Sequence, residues 1–273
     1  MDIRAFFWCW KKGKEVLSLI LPSSQENTTG YDYSVIIPAY NEEKFLPKTL
    51  ESLQLACQEL NTYSGEWIVV DNNSTDNTVD VAKKYGCKVV PESIRQISRV
   101  RNTGAKNARG KYFIFLDADT IVPPSTLYQA IQALEGEEIL CGGAKLSFDN
   151  HHGRWFSGRC LPSMWNFISQ KMKLFAGSFI FCRSDLFFKC GGFPESHYAG
   201  EEIILSKKLK KECRKMGKKV LVISSPKVIS SARKLLWYND WSIFKMMIPL
   251  IGLPFFLKNH QACKFWYNRP TKD

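Results

Sequence analysis

The sequence YFIFLDADT at residues 112–120 places five consecutive apolar residues directly before two aspartates. An unbroken apolar run of this length is typical of a strand that is buried on both faces of a sheet. Asp117 and Asp119 are two residues apart, so in an extended chain both carboxylates point to the same side. Such a pair suits Mg²⁺ or Mn²⁺, which also bind water and substrate phosphates. Taken alone, the pair is a weak signal, and capping of the helix that begins near Pro123 is its more ordinary explanation.

Apolar runs alternate with helical patterns on either side of this strand. Further strands are predicted at residues 34–37, 67–70, 88–90, 139–141, 179–182 and 221–223, the first of them ending at Pro38. Apolar residues at helical spacing from residue 46, and a segment at 125–134, predict helices between the strands. Residues 95–109 show no clear apolar face and are expected to form a polar helix or a loop. We therefore expect an α/β fold with a mostly parallel, Rossmann-like sheet flanked by helices.

Polar residues follow three of the predicted strands at the point where each strand ends. They are Pro38-Ala39-Tyr40-Asn41-Glu42, Asp71-Asn72-Asn73 and Asp117-Ala118-Asp119. In sheets of this kind ligands bind beyond the carboxyl ends of the strands. We therefore expect the three clusters to converge on one ligand site.

The composition limits the class of protein. A chain of 273 residues that is 45% hydrophobic can form one sizeable core. The formal net charge of +12 favours phosphorylated substrates or anionic lipid. A nucleic-acid partner is not expected, because the positive charge is the single feature of the sequence that would support one. Nine cysteines without a C-x-x-C pair predict reduced thiols in the cytoplasm and argue against a structural zinc site.

The two ends of the chain differ from its middle. Residues 1–30 form a basic, apolar arm with a polar linker, residues 31–235 contain the alternating pattern, and residues 236–273 form an apolar, basic tail that we expect to be helical. Neither end has an apolar run long enough to span a bilayer. Each end is equally compatible with a helix that closes the core and with one that lies on an anionic membrane, peripherally on its cytoplasmic face.

Four motifs occur in an order that resembles the family 2 glycosyltransferases, which have the GT-A fold. They are SVIIPAYNEE, IVVDNNSTDNT, RNTGAKNARGKYFIFLDADT and GGFPESHYAGEEIILSKKLKKECRKMG, beginning at residues 34, 68, 101 and 191. The resemblance implies metal-dependent transfer of a sugar, with inversion, from a nucleotide-diphosphate donor to an acceptor hydroxyl. A Q-x-x-R-W motif, typical of processive members, does not follow the acidic pair at residues 201–202, so we expect one sugar per encounter.

The resemblance also implies a role for each matching residue. The donor nucleotide would be bound by Pro38, Ala39, Tyr40, Glu42, Asp71, Arg101, Asn102, Gly104, Asp117, Ala118 and Arg233. Asp119 would bind Mn²⁺ or Mg²⁺ directly, with Asp117 beside it. Asp71 matches the residue that binds the base of the donor and is compatible with uridine, so a UDP-sugar is favoured.

The catalytic base departs from the usual pattern of the family. The common pair is Glu-Asp, and this chain has Glu201-Glu202. Glu202 matches the base and Glu201 is the other candidate, although a longer side chain moves the carboxyl by about an ångström, which matters at a reacting centre. The pair is also explained as the acidic first turn of a basic helix. Trp165 and His197 are candidate acceptor residues, and the basic, apolar tail suggests a lipid-linked or saccharide acceptor.

Two other functions fit parts of the sequence. FIFLDADT also matches the motif of haloacid-dehalogenase-like phosphatases, in which Asp117 would be a nucleophile and Asp119 a general acid. In that family the motif usually opens the domain, whereas two predicted strand-helix units precede it here. The Glu201-Glu202 departure is also compatible with an inactive, glycosyltransferase-like binding module.

Overall fold

The computed structural model describes residues 30–150, 154–233, 237, 239–241, 258 and 263. Its centre is one eight-stranded sheet. The strands are β1 (Tyr31–Ala39), β2 (Gly65–Asp71), β3 (Lys88–Pro91), β4 (Gly110–Leu116), β5 (Thr120–Ile121), β6 (Ile139–Phe148), β7 (Phe179–Arg183) and β8 (Lys219–Ser230). Their order across the sheet is β3-β2-β1-β4-β7-β6-β8-β5.

The sheet is mixed but mostly parallel, as predicted. Strands β3, β2, β1 and β4 pair in parallel, and β6 pairs in parallel with β8. Strand β7 runs antiparallel between β4 and β6, and the short β5 runs antiparallel to β8 at the edge. Every strand predicted from the sequence is present. Strand β5 was not predicted because two residues carry no periodic signal.

Helices cover both faces of the sheet. Those in the described residues are α1 (Leu46–Gln58), α2 (Thr78–Lys84), α3 (Ile97–Asn107), α4 (Pro124–Glu135), a π-helix (Phe156–Cys160), α5 (Leu161–Met172), α6 (Ser184–Lys189) and α7 (Glu201–Lys215). Alternate residues of β1 belong to two hydrophobic clusters. Val35 and Ile37 pack with residues of α1 and α4, whereas Ile36 packs with residues of α3 and α7. This two-sided burial explains why the strands are continuous apolar runs.

The structure decides one alternative that the sequence left open and corrects one predicted strand end. Residues 97–107 form a helix with one buried face, which the apolar pattern did not reveal because Arg101, Asn102 and Gly104 are among its buried residues. Strand β1 continues through Pro38 to Ala39. The Ala39 carbonyl accepts a hydrogen bond from the Asn72 amide on the β2 side. Because neighbouring residues of a strand direct their backbone groups to opposite sides, the nitrogen of Pro38 faces β4. The pairing of β1 with β4 ends before this point, at Ile36. The missing proline N–H therefore removes no ladder bond.

The predicted terminal segments fall largely outside this description. Residues 1–29 and most of residues 234–273 lie outside the described residues, so the arm, the tail and the boundary at residue 235 stay predictions. Within the part that is described, no helix combines the length and the hydropathy needed to cross a bilayer. The eight cysteines in that part are free thiols, in line with the predicted reduced state.

Candidate donor and catalytic site

The loops that follow β1 and β2 are joined by hydrogen bonds. The Asn41 amide donates to Ser74 Oγ (3.0 Å), and the Glu42 amide donates to Thr78 Oγ1 (2.7 Å). The half-buried Asp71 carboxylate accepts the Ser74 amide at 3.2 Å and so closes the turn after β2. The expected convergence of the first two polar clusters is confirmed.

An arginine that no sequence pattern singled out lies against the first cluster. The Arg95 guanidinium lies 4.0 Å from the centroid of the Tyr40 ring. Tyr40 follows directly on Pro38 and Ala39, the last two residues of β1. The stacked pair therefore lies beside the carboxyl end of a central strand, where the ligand of such a sheet is expected.

Arg101 is a buried cation between two parts of the site. Its side chain is 4% exposed, and it donates from Nη1 to Glu201 Oε1 (2.6 Å) and from Nη2 to Asp117 Oδ1 (2.8 Å). Nη2 also donates to the Gly177 carbonyl at 3.2 Å. Burial by itself would lower the Arg101 pKa, but the carboxylates of Asp117 and Glu201 hold the pKa above its ordinary value. The guanidinium therefore stays charged and ties the loop after β4 to the start of α7.

The segment before β7 completes this part of the site. The Asp117 amide donates to the Ser178 carbonyl at 3.3 Å. Ser178 Oγ is buried and has no hydrogen-bond partner among the described residues. A Cβ on Gly177 would lie 3.1 Å from Arg101 Nη2, so a larger residue there would press on the guanidinium. The unpartnered hydroxyl is a hydrogen-bonding group that a ligand could satisfy.

The next residues of α3 contact protein groups in the structure. Asn102 Nδ2 donates to the Phe193 carbonyl (3.0 Å), and Asn102 Oδ1 accepts the Phe193 amide (3.0 Å). Asn102 thus fixes the Gly-Gly-Phe-Pro turn, where Gly192 has a φ of 64° that favours glycine. Gly104 lies against the core, because a Cβ there would be 2.3 Å from Ile36 Cγ2. Donor contact by Asn102 and Gly104 stays a prediction.

Arg233 bridges the first and third polar clusters. Its guanidinium binds both oxygens of the Glu42 carboxylate, at 2.6 and 2.7 Å, and Nη2 also lies 2.9 Å from Asp119 Oδ2. The same group lies 4.4 Å from the centroid of the Phe45 ring. Ala118, between the two aspartates, is buried, and its carbonyl accepts Thr49 Oγ1 of α1 at 2.8 Å. The third cluster therefore converges on the first, as predicted.

The two acids at residues 201 and 202 begin α7 but have different surroundings. Gly200, with a φ of 70°, is the residue before the helix. Glu201 is buried and paired with Arg101, whereas Glu202 is half-buried. Burial, followed by the nearby Glu201 carboxylate, raises the pKa of Glu202 to about 8. Glu202 can therefore take up and release a proton near neutral pH. The two acids also form the first turn of a helix whose last turn is basic, so a helix-dipole role remains compatible with the pair.

His197 and Trp165 lie on different elements. His197 is in the loop before α7, where its carbonyl accepts Gln96 Nε2 at 3.0 Å. Burial and the Lys258 ammonium lower the pKa of the His197 imidazole. Trp165 is half-buried on α5. Gln96 was not singled out from the sequence because its partners in the 195–197 loop are about a hundred residues away.

The two aspartates of the D-x-D motif face arginines. Among the residues that the structure describes, no group of three or more His, Cys, Asp or Glu side chains is arranged to hold a metal ion. Asp117 pairs with Arg101, and Asp119 pairs with Arg233. Carboxylate oxygens nevertheless suit Mg²⁺ or Mn²⁺, whose remaining positions are filled by substrate phosphates and water. The two carboxylates could therefore supply part of the coordination of such an ion, and a bound diphosphate and water would supply the rest.

Comparison with known proteins identifies a family. The sequence profile described as Glycosyl transferase family 2 matches residues 34–191, which is more than half of the chain. Poly(ribitol-phosphate) beta-N-acetylglucosaminyltransferase TarS of Staphylococcus aureus is 34% identical over 105 residues, 36% of this chain and 18% of that protein. Dolichyl-phosphate beta-glucosyltransferase of Mus musculus is 36% identical over 126 residues, 42% of this chain and 37% of that protein. The chain thus spans less than two fifths of the length of either relative.

A solved structure supports the architecture. The mannosyltransferase PcManGT of Pyrobaculum calidifontis, in complex with GDP-Man and Mn²⁺, matches with a TM-score of 0.61 at 18% identity, over 93% of this chain and 70% of that chain. At this identity the likeness shows the fold, and it confirms the expected GT-A-type sheet. The motif FIFLDADT begins in the fourth strand and not in an opening strand, and it lies within the residues matched by the family profile, so the phosphatase interpretation gains no support.

Proposed function

The chain belongs to glycosyl transferase family 2, and we propose that it moves one sugar from a nucleotide-diphosphate donor to an acceptor hydroxyl with inversion at the anomeric carbon. The observation that carries this proposal is the double ion pair of Arg101. One buried guanidinium holds Asp117, from the predicted donor side, and Glu201, from the predicted catalytic helix. The carboxylates of Asp117 and Glu201 are thereby kept at a fixed separation, and a reaction that joins a donor to an acceptor requires such positioning.

Glu202 is our candidate for the catalytic base. The acceptor oxygen would attack the anomeric carbon on the face opposite the nucleotide, its proton would pass to the Glu202 carboxylate, and the bond from carbon to the diphosphate oxygen would break. A pKa of about 8 suits this task, because a base works best when its pKa is close to the working pH. Glu201 is committed to Arg101, so we assign it the task of positioning the first turn of α7.

The donor is proposed to be a UDP-sugar bound at the carboxyl ends of β1, β2 and β4. Asp71 and the Tyr40 ring, stacked with Arg95, would bind the nucleoside. Arg233, which pairs with Asp119, is the cation proposed to bind the diphosphate. The unpartnered Ser178 hydroxyl would bind the donor sugar.

Mn²⁺ or Mg²⁺ is the proposed cofactor, held by Asp119 and Asp117. A bound ion of this kind would neutralise charge on the leaving diphosphate without supplying a proton. Asp119 would share its carboxylate between the ion and Arg233, and Asp117 would share its carboxylate with Arg101. The two arginines hold these carboxylates in place before the donor arrives.

The composition of the terminal segments supports a proposal for the acceptor and the cellular location. The apolar, basic region at residues 235–258 supports a lipid-linked acceptor, with a saccharide as the alternative. We propose that the protein is cytoplasmic and lies peripherally on an anionic membrane. Trp165 and His197 are the proposed acceptor residues.

Calorimetric titration of the full chain with UDP and with GDP, each with and without Mn²⁺, tests the proposal. We expect Mn²⁺-dependent binding of UDP that Asp119→Ala weakens at least about tenfold, the loss of one charge-assisted contact. The matched control is Asp80→Ala, which removes an exposed acid of α2 and should leave binding unchanged. A folded protein that binds neither nucleotide would overturn the donor site. Binding of UDP without release of UDP from any donor sugar would favour the inactive binding module.

A further inference from the structure

The surface around the π-helix and α5 exposes an unusual number of large apolar side chains. Ten such side chains are exposed in the described residues, and four of them lie within residues 155–172. They are Trp155 (72% exposed), Met164 (47%), Phe167 (65%) and Met172 (51%). Exposed apolar residues are ordinary when scattered, but a concentration on one segment indicates an interaction surface.

The same segment is strongly basic. Residues 150–184 contain no aspartate or glutamate, and residues 154–173 contain two arginines and two lysines. Arg159 and Lys171 are exposed, and Lys171 Nζ lies 5.7 Å from the centroid of the Phe167 ring. Aromatic side chains that can enter the headgroup region, beside cations that attract anionic lipid, are the composition of a helix that lies on a membrane.

The opposite side of α5 is fixed to the sheet. Asn166 is buried, and its side chain accepts the Leu146 amide (2.9 Å) and donates to the Leu146 carbonyl (2.7 Å). Ser169, three residues later, is also buried. Met164, Phe167 and Lys171 are spaced by three and four residues, which places them together on the outer side of the helix. Met164 and Phe167 therefore belong to a helix whose inner side already has its partners, and Trp155 is the residue before the π-helix that leads into it.

We propose that the exposed surface formed by the π-helix, the residue before it and the outer side of α5 docks on an anionic lipid bilayer. We name it the α5 face and define it by Trp155, Arg159, Met164, Phe167 and Lys171. A bilayer is favoured over a protein partner because cations and exposed aromatics occur together in residues 150–184, a stretch without an acid of its own. One acid from outside the stretch, Asp240, pairs with Arg154 and leaves Arg159 and Lys171 as the cations of this surface. The chain also continues from Trp241, itself 63% exposed, into the apolar run at residues 243–257, and the preceding Asp240 accepts a hydrogen bond from Ser157 of the π-helix.

The α5 face is connected to the proposed donor site. Helix α5 is bound to β6, and beyond the end of β6 the Asp149 carboxylate accepts the amide of Ala232, the residue before Arg233. Docking would therefore orient the site relative to the bilayer. This step rests on the proposed function, and it favours an acceptor carried by a membrane lipid. The docking itself requires no transferase activity.

Vesicle flotation of the full chain tests the docking. We expect binding to vesicles of phosphatidylcholine with phosphatidylserine, and the double variant Trp155→Ser/Phe167→Ser should lower the partition coefficient about tenfold or more, because each ring loses its burial in the interface. The matched control is Leu55→Ser/Ile94→Ser, which removes two side chains of similar exposure elsewhere (56% and 48%). An unchanged melting temperature would show that the variants are folded. Unchanged UDP binding would show that the donor site is intact, so that a loss of vesicle binding reports on docking alone.

A second pair of variants tests the charge. Arg159→Gln/Lys171→Gln should lower binding to the anionic vesicles roughly fivefold for each charge removed. Lys207→Gln/Lys211→Gln, on the exposed side of α7, is the control and should have a smaller effect. Binding that is unchanged by both α5-face variants would overturn the proposal and leave the terminal segments as the membrane contact. Equal binding to vesicles of phosphatidylcholine alone would overturn the role of the cations.

Discussion

Arg101 Nη1 and Glu201 Oε1 lie 2.6 Å apart in an ion pair whose side chains are only 4% and 6% exposed. The two residues are a hundred positions apart in the sequence. Charges removed from water in this way stay stable only because each has its partner. The pair therefore makes the start of α7 depend on a residue of α3, and with it the position of Glu202.

Removal of the Arg101 charge should destabilise the protein strongly. Arg101→Leu leaves the buried Glu201 and the neighbouring Asp117 without their cation, at a cost of about 3–5 kcal/mol in the free energy of unfolding. Urea denaturation measures this. The control is Arg99→Leu, two residues earlier, whose pair with Glu195 is about one third exposed and should contribute less than about 1 kcal/mol. Similar losses for the two variants would contradict the buried bridge.

Glu202 should control the pH dependence of the transfer. A base acts in its deprotonated form, so kcat should rise about tenfold per pH unit below the pKa of about 8 and level off above it. Glu202→Gln should lower kcat by about 10²–10⁴ and abolish this inflection, while UDP binding measured by calorimetry stays the same. An inflection that persists in Glu202→Gln would assign the base to another residue.

The same shift makes a prediction for stability. The pKa of Glu202 is raised on folding, so the folded protein holds this proton more tightly than the unfolded chain. Titration of the Glu202 carboxyl therefore lowers the free energy of unfolding as the pH rises from about 4.5 through about 8. Relative to Glu202→Gln, the wild-type melting temperature should fall over this range. A constant difference between the two melting temperatures from pH 5 to pH 8 would show that the carboxyl does not titrate there.

Gly104 should be intolerant of even a methyl group. A Cβ would lie 2.3 Å from Ile36 Cγ2 and 2.9 Å from Val70 Cγ2, and both are stiff, β-branched core side chains. Gly104→Ala should therefore cost about 1–3 kcal/mol, although alanine is the better helix former. Gly136→Ala is the control, because the nearest atoms there are at 3.7 Å and the φ of −68° suits alanine. Denaturation curves in which Gly104→Ala is as stable as the wild type would refute the close packing.

Arg233 should influence nucleotide and metal binding in opposite directions. Arg233→Gln removes the cation that faces Glu42 and Asp119, so Mn²⁺ alone should bind more tightly to the freed carboxylates. The affinity for UDP with Mn²⁺ should fall at least about fivefold, because a charge-assisted contact to the diphosphate is lost. Both constants come from calorimetry. A loss of affinity for Mn²⁺ alone would mean that Arg233 supports the metal ligands and does not compete with the ion.

The sequence by itself determined the α/β class, the strands and the position of each polar cluster at a strand end. These features are local: an apolar run such as residues 112–116 and the aspartates that follow it are adjacent along the chain. Because parallel strands end at the same edge of a sheet, the convergence of residues 38–42, 71–73 and 117–119 could also be predicted. The order of motifs was enough to identify the family.

Only the tertiary structure decided which charges meet. Arg101 contacts partners 16 and 100 residues away, and Arg233 contacts Glu42 across 191 residues, separations at which no sequence period operates. The buried face of α3 could not be predicted from apolar spacing, because several of its buried residues are polar and bind partners that are distant in the sequence. The different surroundings of Glu201 and Glu202 also come from packing, since a pKa depends on burial and neighbouring charges that adjacent identical residues do not share.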